Sequence, residues 1–187
     1  MFALDSEHTL RPIRLGDGAA LAQAYSDNRE HLAPWEPMRP AEFFTPSWQE
    51  DDVERCVDDA ASARNARFVI ESSDGVICGR MNLNNIVRGA FRSADLGYWV
   101  AGTRQGRGLA SRGVEALIGH ARDALGLHRL QAATLVHNGA SQRVLSINGF
   151  RRIGLAPRYL RIAGEWQDHL LFQRLLDDDV SSREGRP

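Results

Sequence analysis

The chain contains no lysine. All 23 basic residues among its 187 are arginines, so neither a lysine base nor a lysine Schiff base is available to it. A compositional bias of the genome accounts for this better than a functional demand does. Cysteine is scarce as well. Cys56 and Cys78 stand far apart, in neither a C-x-x-C nor a metal-ligand spacing, so no disulfide framework is expected, and a cytoplasmic protein with no bound metal is. No run approaches the roughly 18 apolar residues of a membrane span. The opening "MFALDSEHTL" lacks both the basic start and the apolar centre of a secretion signal. The net charge is −1, without the basic surplus of a nucleic-acid surface. Neither membrane nor nucleic acid is an expected partner.

What is present suffices for one core. With 43% hydrophobic residues, the chain reads as a single domain over residues 1–176, followed by a polar tail at 177–187 that is expected to be disordered. No internal repeat is visible. "TLRPIRL" has the pattern of a strand and "GDGAALAQAYSDNREHL" that of a helix. "APWEPMRPAEFFTPSWQ" carries four prolines and reads as irregular. Ser47 and Glu50 form a capping box that predicts a helix from Ser47 through "VERCVDDAASA". "RFVIES", "VICGRMNLNNIV" and "SADLGYWV" form an antiparallel meander. A long helix follows, apolar at Leu109, Val114, Leu117, Ile118, Ala121 and Leu125 and stopped by Gly126. Strand "HRLQAATLV", short helix "SQRVLSIN" and a final hairpin around "AGE" complete a mixed α/β order.

The start of the long helix is the first candidate site. "TRQGRGLA" places Gly106, Gly108, Arg104 and Arg107 where a helix N-terminus leaves backbone N–H groups unpartnered. Bare backbone and positive charge there suit a phosphate. The spacing is not that of a P-loop, and G-x-G alone is too short for a dinucleotide fingerprint. A plain turn whose glycines relieve strain is the other reading.

Gln105, Gly106, Arg107, Gly108, Leu109 and Ala110 fit Q-x-x-G-x-G/A, and with it the chain resembles the GNAT superfamily of N-acetyltransferases. In "HNGASQRVLSINGF", Asn138, Ser141 and Asn148 to Phe150 match the second cofactor segment of its RimJ/RimL-type members, which acetylate protein amino termini. "NREHLAPWEP", "NNIVRGAF" and "GEWQDHLLF" are similar to that subgroup too, so the resemblance runs from Leu10 to about Leu176. It implies a mixed, mostly antiparallel sheet with flanking helices, in which "ADLGYWV" and "LQAATLV" run parallel and splay apart for acetyl-CoA. By resemblance the pantetheine arm pairs with the backbone of Tyr98, Trp99 and Val100. The pyrophosphate sits on the N–H groups from Gln105 to Ser111, and Asn138 meets a pantetheine amide. Arg104 and Arg107 are either phosphate ligands or solvated surface arginines, and the other reading of Asn138 is simple Asn-Gly turn chemistry.

For the chemistry, Asp95 falls near the strand position where the superfamily often carries its base, against the alternative of a salt-bridged strand aspartate. Ser141 is placed either to hydrogen-bond the thiol sulfur or to satisfy N–H groups in the first turn of its helix. A backbone N–H at a strand bulge near Val100 is expected to serve the oxyanion. Glu165 and Asp168 could pair with an incoming ammonium or hold Arg158 or Arg161. Trp35, Asn84, Asn85 and Arg88 are candidates for the acceptor wall, Trp35 also for a loop-pinning aromatic. The acceptor implied is a protein N-terminus. A small-molecule amine, such as an antibiotic or polyamine, and a non-catalytic acyl-CoA-binding module remain the alternatives, and a homodimer is left open.

Overall fold

A computed structural model of the chain describes residues 1–62 and 64–177. The expected tail therefore lies outside the described residues, apart from Asp177. That residue accepts a hydrogen bond from the His128 ring at 2.6 Å.

Eight strands form one sheet in the order β1-β2-β3-β4-β5-β6-β8-β7. They are β1 (Phe2–Ala3), β2 (His8–Pro12), β3 (Ala66–Ser72), β4 (Ile77–Val87), β5 (Ser93–Val100), β6 (Arg129–Leu135), β7 (Arg151–Ile162) and β8 (Glu165–Leu175). Every neighbouring pair is antiparallel except β5 with β6. The helices are α1 (Gly18–Asp27), α2 (Arg29–Leu32), α3 (Pro46–Ala61), α4 (Leu109–Gly119) and α5 (Gly139–Ile147). Among the described residues no helix is long and apolar enough to cross a membrane.

Strand alternation divides the core between two faces of the sheet. Trp99 of β5 packs on Tyr25 of α1, and its neighbour in register, Arg80, reaches Asp52 of α3. The next residue, Tyr98, turns to the opposite face and meets Ser141 of α5. The sheet is thus sandwiched, α1 and α3 on one side and α4 and α5 on the other.

β1 is unexpected, and the single helix expected over residues 16–32 breaks at Asn28 into α1 and α2. Two further boundaries also differ. α3 begins at Pro46 with Thr45 as its cap, the Thr45 hydroxyl accepting from Trp48 N. Proline suits a first helical position, because its missing N–H would have no partner there. Glu50 is consequently free of any capping box and crosses to α1, where its carboxylate accepts from Gly16 N at 2.6 Å and Gly18 N at 2.8 Å. The second difference is in the long helix. Its α-helical part ends at Gly119, and His120–Ala124 continue as a wider π turn before Gly126 at φ +62°.

Candidate active site

The site begins with a gap in the sheet. β5 and β6 pair only through Ser93 with Arg129, Ala94 with Leu130 and Asp95 with Gln131, and then separate. β6 continues on its other side with β8 as far as Leu135, opposite His169. Ala101 N donates to Cys78 O, so by antiparallel alternation Trp99 also turns its backbone toward β4. Tyr98 and Val100 turn theirs into the gap. Of the three residues assigned to the pantetheine arm, Trp99 is therefore corrected. Its backbone pairs with β4, and its indole N–H donates to the Tyr25 hydroxyl at 3.1 Å inside the core. No bulge lies near Val100, since the β4–β5 register runs unbroken from Gly79–Val100 to Asn84–Asp95 and shifts only between Asn84 and Val87. The N–H groups that face the gap do so through alternation alone.

The glycine loop follows β5. Gly106 has φ +73° and Gly108 φ +75°, left-handed conformations that side chains resist. Gly108 is the N-cap of α4 and provides no side-chain hydrogen bond to it, so the first N–H groups of the helix, at Leu109, Ala110 and Ser111, face outward uncapped. Arg104 is half-buried and Arg107 exposed, and neither makes a salt bridge among the described residues. Arg112, which the sequence did not single out, fastens the loop. Its guanidinium donates to Arg107 O at 2.9 Å and to Asp5 at 2.8 Å.

Opposite the gap, Asn138 caps α5 by accepting from Ser141 N at 3.0 Å. That cap leaves the Ser141 hydroxyl to pair with the Tyr98 hydroxyl at 2.9 Å. Burial pushes the Tyr98 phenol up to about 12, the bond to Ser141 offsetting part of the shift.

Asp95 stands at the apex of the gap, in the last β5–β6 pair. Its carboxylate accepts from Asn85 Nδ2 at 2.8 Å and from Gln131 Nε2 at 3.4 Å. The β4 irregularity and the positive φ of Asn85, +52°, bring that amide across, and neither feature shows in the spacing.

At the open end, Trp35 lies 5.6 Å from the His137 ring. His31 Nε2 contacts Val100 O at 3.3 Å and Gln105 Nε2 at 3.1 Å, donating to the carbonyl in one tautomer and accepting from the amide in the other. Sequence reasoning missed His31, because nothing local predicts a contact 69 residues away. Asp168 accepts from Arg158 N at 2.9 Å, a backbone bond at a residue with φ +49°, while the Arg161 guanidinium donates to Gly164 O. Glu165 is exposed. Asn84 faces β5 opposite Asp95. Arg88 does not join Trp35. It donates to Leu125 O, just before β6 begins, whereas His137 follows the far end of that seven-residue strand, about 20 Å away at about 3.3 Å per residue.

A loop of uncapped helix N–H groups beside parallel strands that part is the geometry that the comparisons with known proteins address. The family profile described as "Acetyltransferase (GNAT) domain" matches residues 8–151. The chain belongs to the GNAT acetyltransferase family. This GNAT chain is 34% identical over 158 residues to the "[Ribosomal protein uS5]-alanine N-acetyltransferase" of Escherichia coli K12, covering 83% of this chain and 80% of that one. Among solved structures, the ribosomal-protein-S5-alanine acetyltransferase of Vibrio fischeri superposes with TM-score 0.89 at 33% identity, over 93% of this chain and 98% of the other. Mycobacterium smegmatis RimJ in complex with CoA-disulfide does so with TM-score 0.86 at 36% identity, over 91% and 83%. The GNAT chain is thus an acyltransferase, and its cofactor is acetyl-CoA. The residues present fit that group. The left-handed Gly106 and Gly108, the uncapped start of α4 and the two arginines outside salt bridges suit a pyrophosphate. The edge at Tyr98 and Val100, which β6 does not pair, suits an amide-bearing arm.

Proposed function

We propose that this GNAT enzyme acetylates the α-amino group of a protein or peptide N-terminus by direct attack in a ternary complex. The observation that carries the proposal is the engagement of Asp95. The carboxylate at the apex of the gap already accepts two side-chain amide bonds and lies well along β5 from Val100, so it is not assigned as the base. A protein α-amino group near pKa 7.7 to 8.0 is roughly a quarter neutral at pH 7.4, whereas a lysine amine near 10.4 is about 0.1% neutral. An acceptor that needs little deprotonation suits such a site. Likeness to the uS5-alanine N-acetyltransferase, at 34% identity, supports the same reading.

Acetyl-CoA supplies the acyl thioester. Gln105 to Ser111 hold its phosphates through backbone N–H groups, with Arg104 and Arg107 adding charge-assisted contacts. Tyr98 and Val100 would orient the arm, and the Val100 N–H would be the donor toward the acyl oxygen. Asn138 fixes the start of α5. The Ser141 hydroxyl, paired with that of Tyr98, would relay to the departing sulfur the proton that the attacking amine gives up, and a thiol pKa near 8.5 makes that assistance useful and dispensable. Positioning of two bound reactants is the largest contribution, worth up to about 7 to 11 kcal/mol in the best cases. Trp35, Glu165 and Asp168 border the acceptor at the open end, and Asn84 lies at the apex opposite Asp95.

The test is intact mass spectrometry after incubation with acetyl-CoA. The acceptors are short Ala- or Ser-starting peptides, N-blocked lysine peptides, polyamines and amine antibiotics. One acetyl group on free N-termini alone is expected, and acetylation of a small amine alone overturns the proposal. Gly108→Trp is expected to abolish most turnover while retaining the fold by circular dichroism, and normal turnover in that variant removes the cofactor role of the loop.

A further inference from the structure

A cavity of about 320 Å³ opens between α1, α2 and the tip of the β7–β8 hairpin. Tyr25, Leu32, Met38, Phe43, Phe44 and Ala163 form most of its wall. The volume is on the scale of one or two large side chains. The tip of the hairpin closes it, Ala163 N donating to Glu36 O at 3.0 Å.

Its position relates it to the gap. Leu32 follows His31, whose ring touches Val100 O at 3.3 Å, and the Tyr25 hydroxyl receives the Trp99 indole N–H at 3.1 Å. The cavity wall therefore borders β5 within a residue of Val100. An extended peptide advances about 3.3 Å per residue and alternates its side chains. With its amino group at the gap, its second to fourth residues come within reach of the cavity.

Of the charges around it, Arg39 and Glu36 pair with each other, and Arg29 is held over a ring. Arg39 lies 3.5 Å from Glu36 and stacks 4.5 Å from the centre of the Phe43 ring. Arg29 stacks 4.6 Å from the centre of the Phe44 ring. An entering ammonium would meet two guanidiniums, and an entering carboxylate would meet Glu36. Burial pushes the Glu36 carboxyl upward, Arg39 offsetting part of the shift, which agrees with a weakly hydrated interior. Met38 is 77% exposed at the rim, an apolar side chain that a ligand would cover.

We infer that this cavity is a specificity subsite that takes a large apolar side chain from residues two to four of the acceptor peptide. The inference rests on the N-terminal acetylation proposed above. It gives the acceptor a chemistry beyond its free amine, a short N-terminus with an aliphatic or aromatic residue close behind the first.

The experiment measures kcat and KM for tetrapeptides beginning with Ala, in which positions two to four carry Gly throughout or a single Leu, Phe, Asp or Arg. One Leu or Phe position is expected to lower KM about tenfold relative to the all-Gly peptide, with kcat little changed. Ala33→Trp fills the cavity from its exposed edge without removing any core packing. It is expected to erase that preference while leaving the all-Gly peptide at wild-type KM, whereas Glu36→Gln is expected to preserve the preference. Equal KM for all peptides overturns the subsite while leaving N-terminal acetylation intact, as does a Leu preference that survives Ala33→Trp. A preference for Arg that Glu36→Gln abolishes shows a cationic occupant and also overturns it. Turnover of no peptide at all overturns both readings together.

Discussion

Asn138 and Ser141 show how a hydrogen-bond inventory assigns roles that residue type alone leaves open. Both are credible helix-start residues, and by type either one could be the cap. Because the Asn138 carboxamide accepts from Ser141 N, the serine hydroxyl is released to the Tyr98 hydroxyl. If that pair delivers the proton to the leaving sulfur, Ser141→Ala lowers kcat several-fold without abolishing it. Tyr98→Phe then adds little on top of Ser141→Ala in a double-mutant cycle, whereas two independent losses would multiply. At the other end of the cofactor site, Gly108→Ala forces a side chain into φ +75° and sets a Cβ 2.9 Å from Arg112 Nη1. Because the arginine tip can move, the conformational term dominates. A loss of about 1 to 2 kcal/mol in denaturant unfolding is expected, together with a raised KM for acetyl-CoA. An unchanged KM would separate the loop from the cofactor.

Elements were more legible than their ends. Strand β5 occupies the very residues that alternation predicts, Ser93–Val100, because alternation is a local property of consecutive residues. The cap of α3 was not legible, because Ser47 and Glu50 satisfy the capping-box pattern while Thr45 and Pro46 satisfy another equally local one. The choice between them depends on α1, which lies close enough to use Glu50. A Cβ on Gly18 would stand 2.5 Å from Glu50 Oε2 and 2.7 Å from Glu50 Cα, so the contact tolerates only glycine. Gly18→Ala is expected to cost about 1 to 3 kcal/mol through overpacking, measured by urea unfolding. Glu50→Ala is expected to cost about 1 kcal/mol by uncapping α1. A Gly18→Ala protein as stable as the wild type would mean that α1 and α3 can separate freely.

At the scale of the whole molecule, buried charges set the acid limit. Burial raises Asp52, but the Arg80 guanidinium at 2.9 Å more than compensates and holds it below the usual carboxylate range. Hydrogen bonding from Arg11 holds Glu71 down as well. Both carboxyls have depressed folded-state pKa values, so the stability they contribute is present above about pH 4 and disappears as pH falls through those values. His120 behaves differently. It packs edge-on between Phe2 and Phe68, and burial lowers its pKa. The fold therefore prefers the neutral ring, and stability declines as pH falls below about 6.5, where the unfolded chain takes up the proton first. A series of urea unfolding curves is expected to show two declining limbs, one below about pH 6.5 and a steeper one below about pH 4. His120→Phe should flatten the first alone. A wild-type curve level between pH 7 and pH 5 would refute the role of His120.

The sequence by itself determined the order of elements from β2 onward, apart from the break between α1 and α2, the glycine loop ahead of the long helix, and the absence of lysine chemistry. Each follows from neighbouring residues, whose spacing and backbone preferences are written in one short stretch. Tertiary structure alone decided which functional groups are free to act. Trp99 turns away from the gap because β4 claims its backbone and Tyr25 its indole. Asp95 is engaged because a bulge brings Asn85 across. His31 meets Val100 because α2 folds back over β5. Hydrogen bonds and burial depend on distances in space, and the residues that settle them are separated from their partners by tens of positions along the chain.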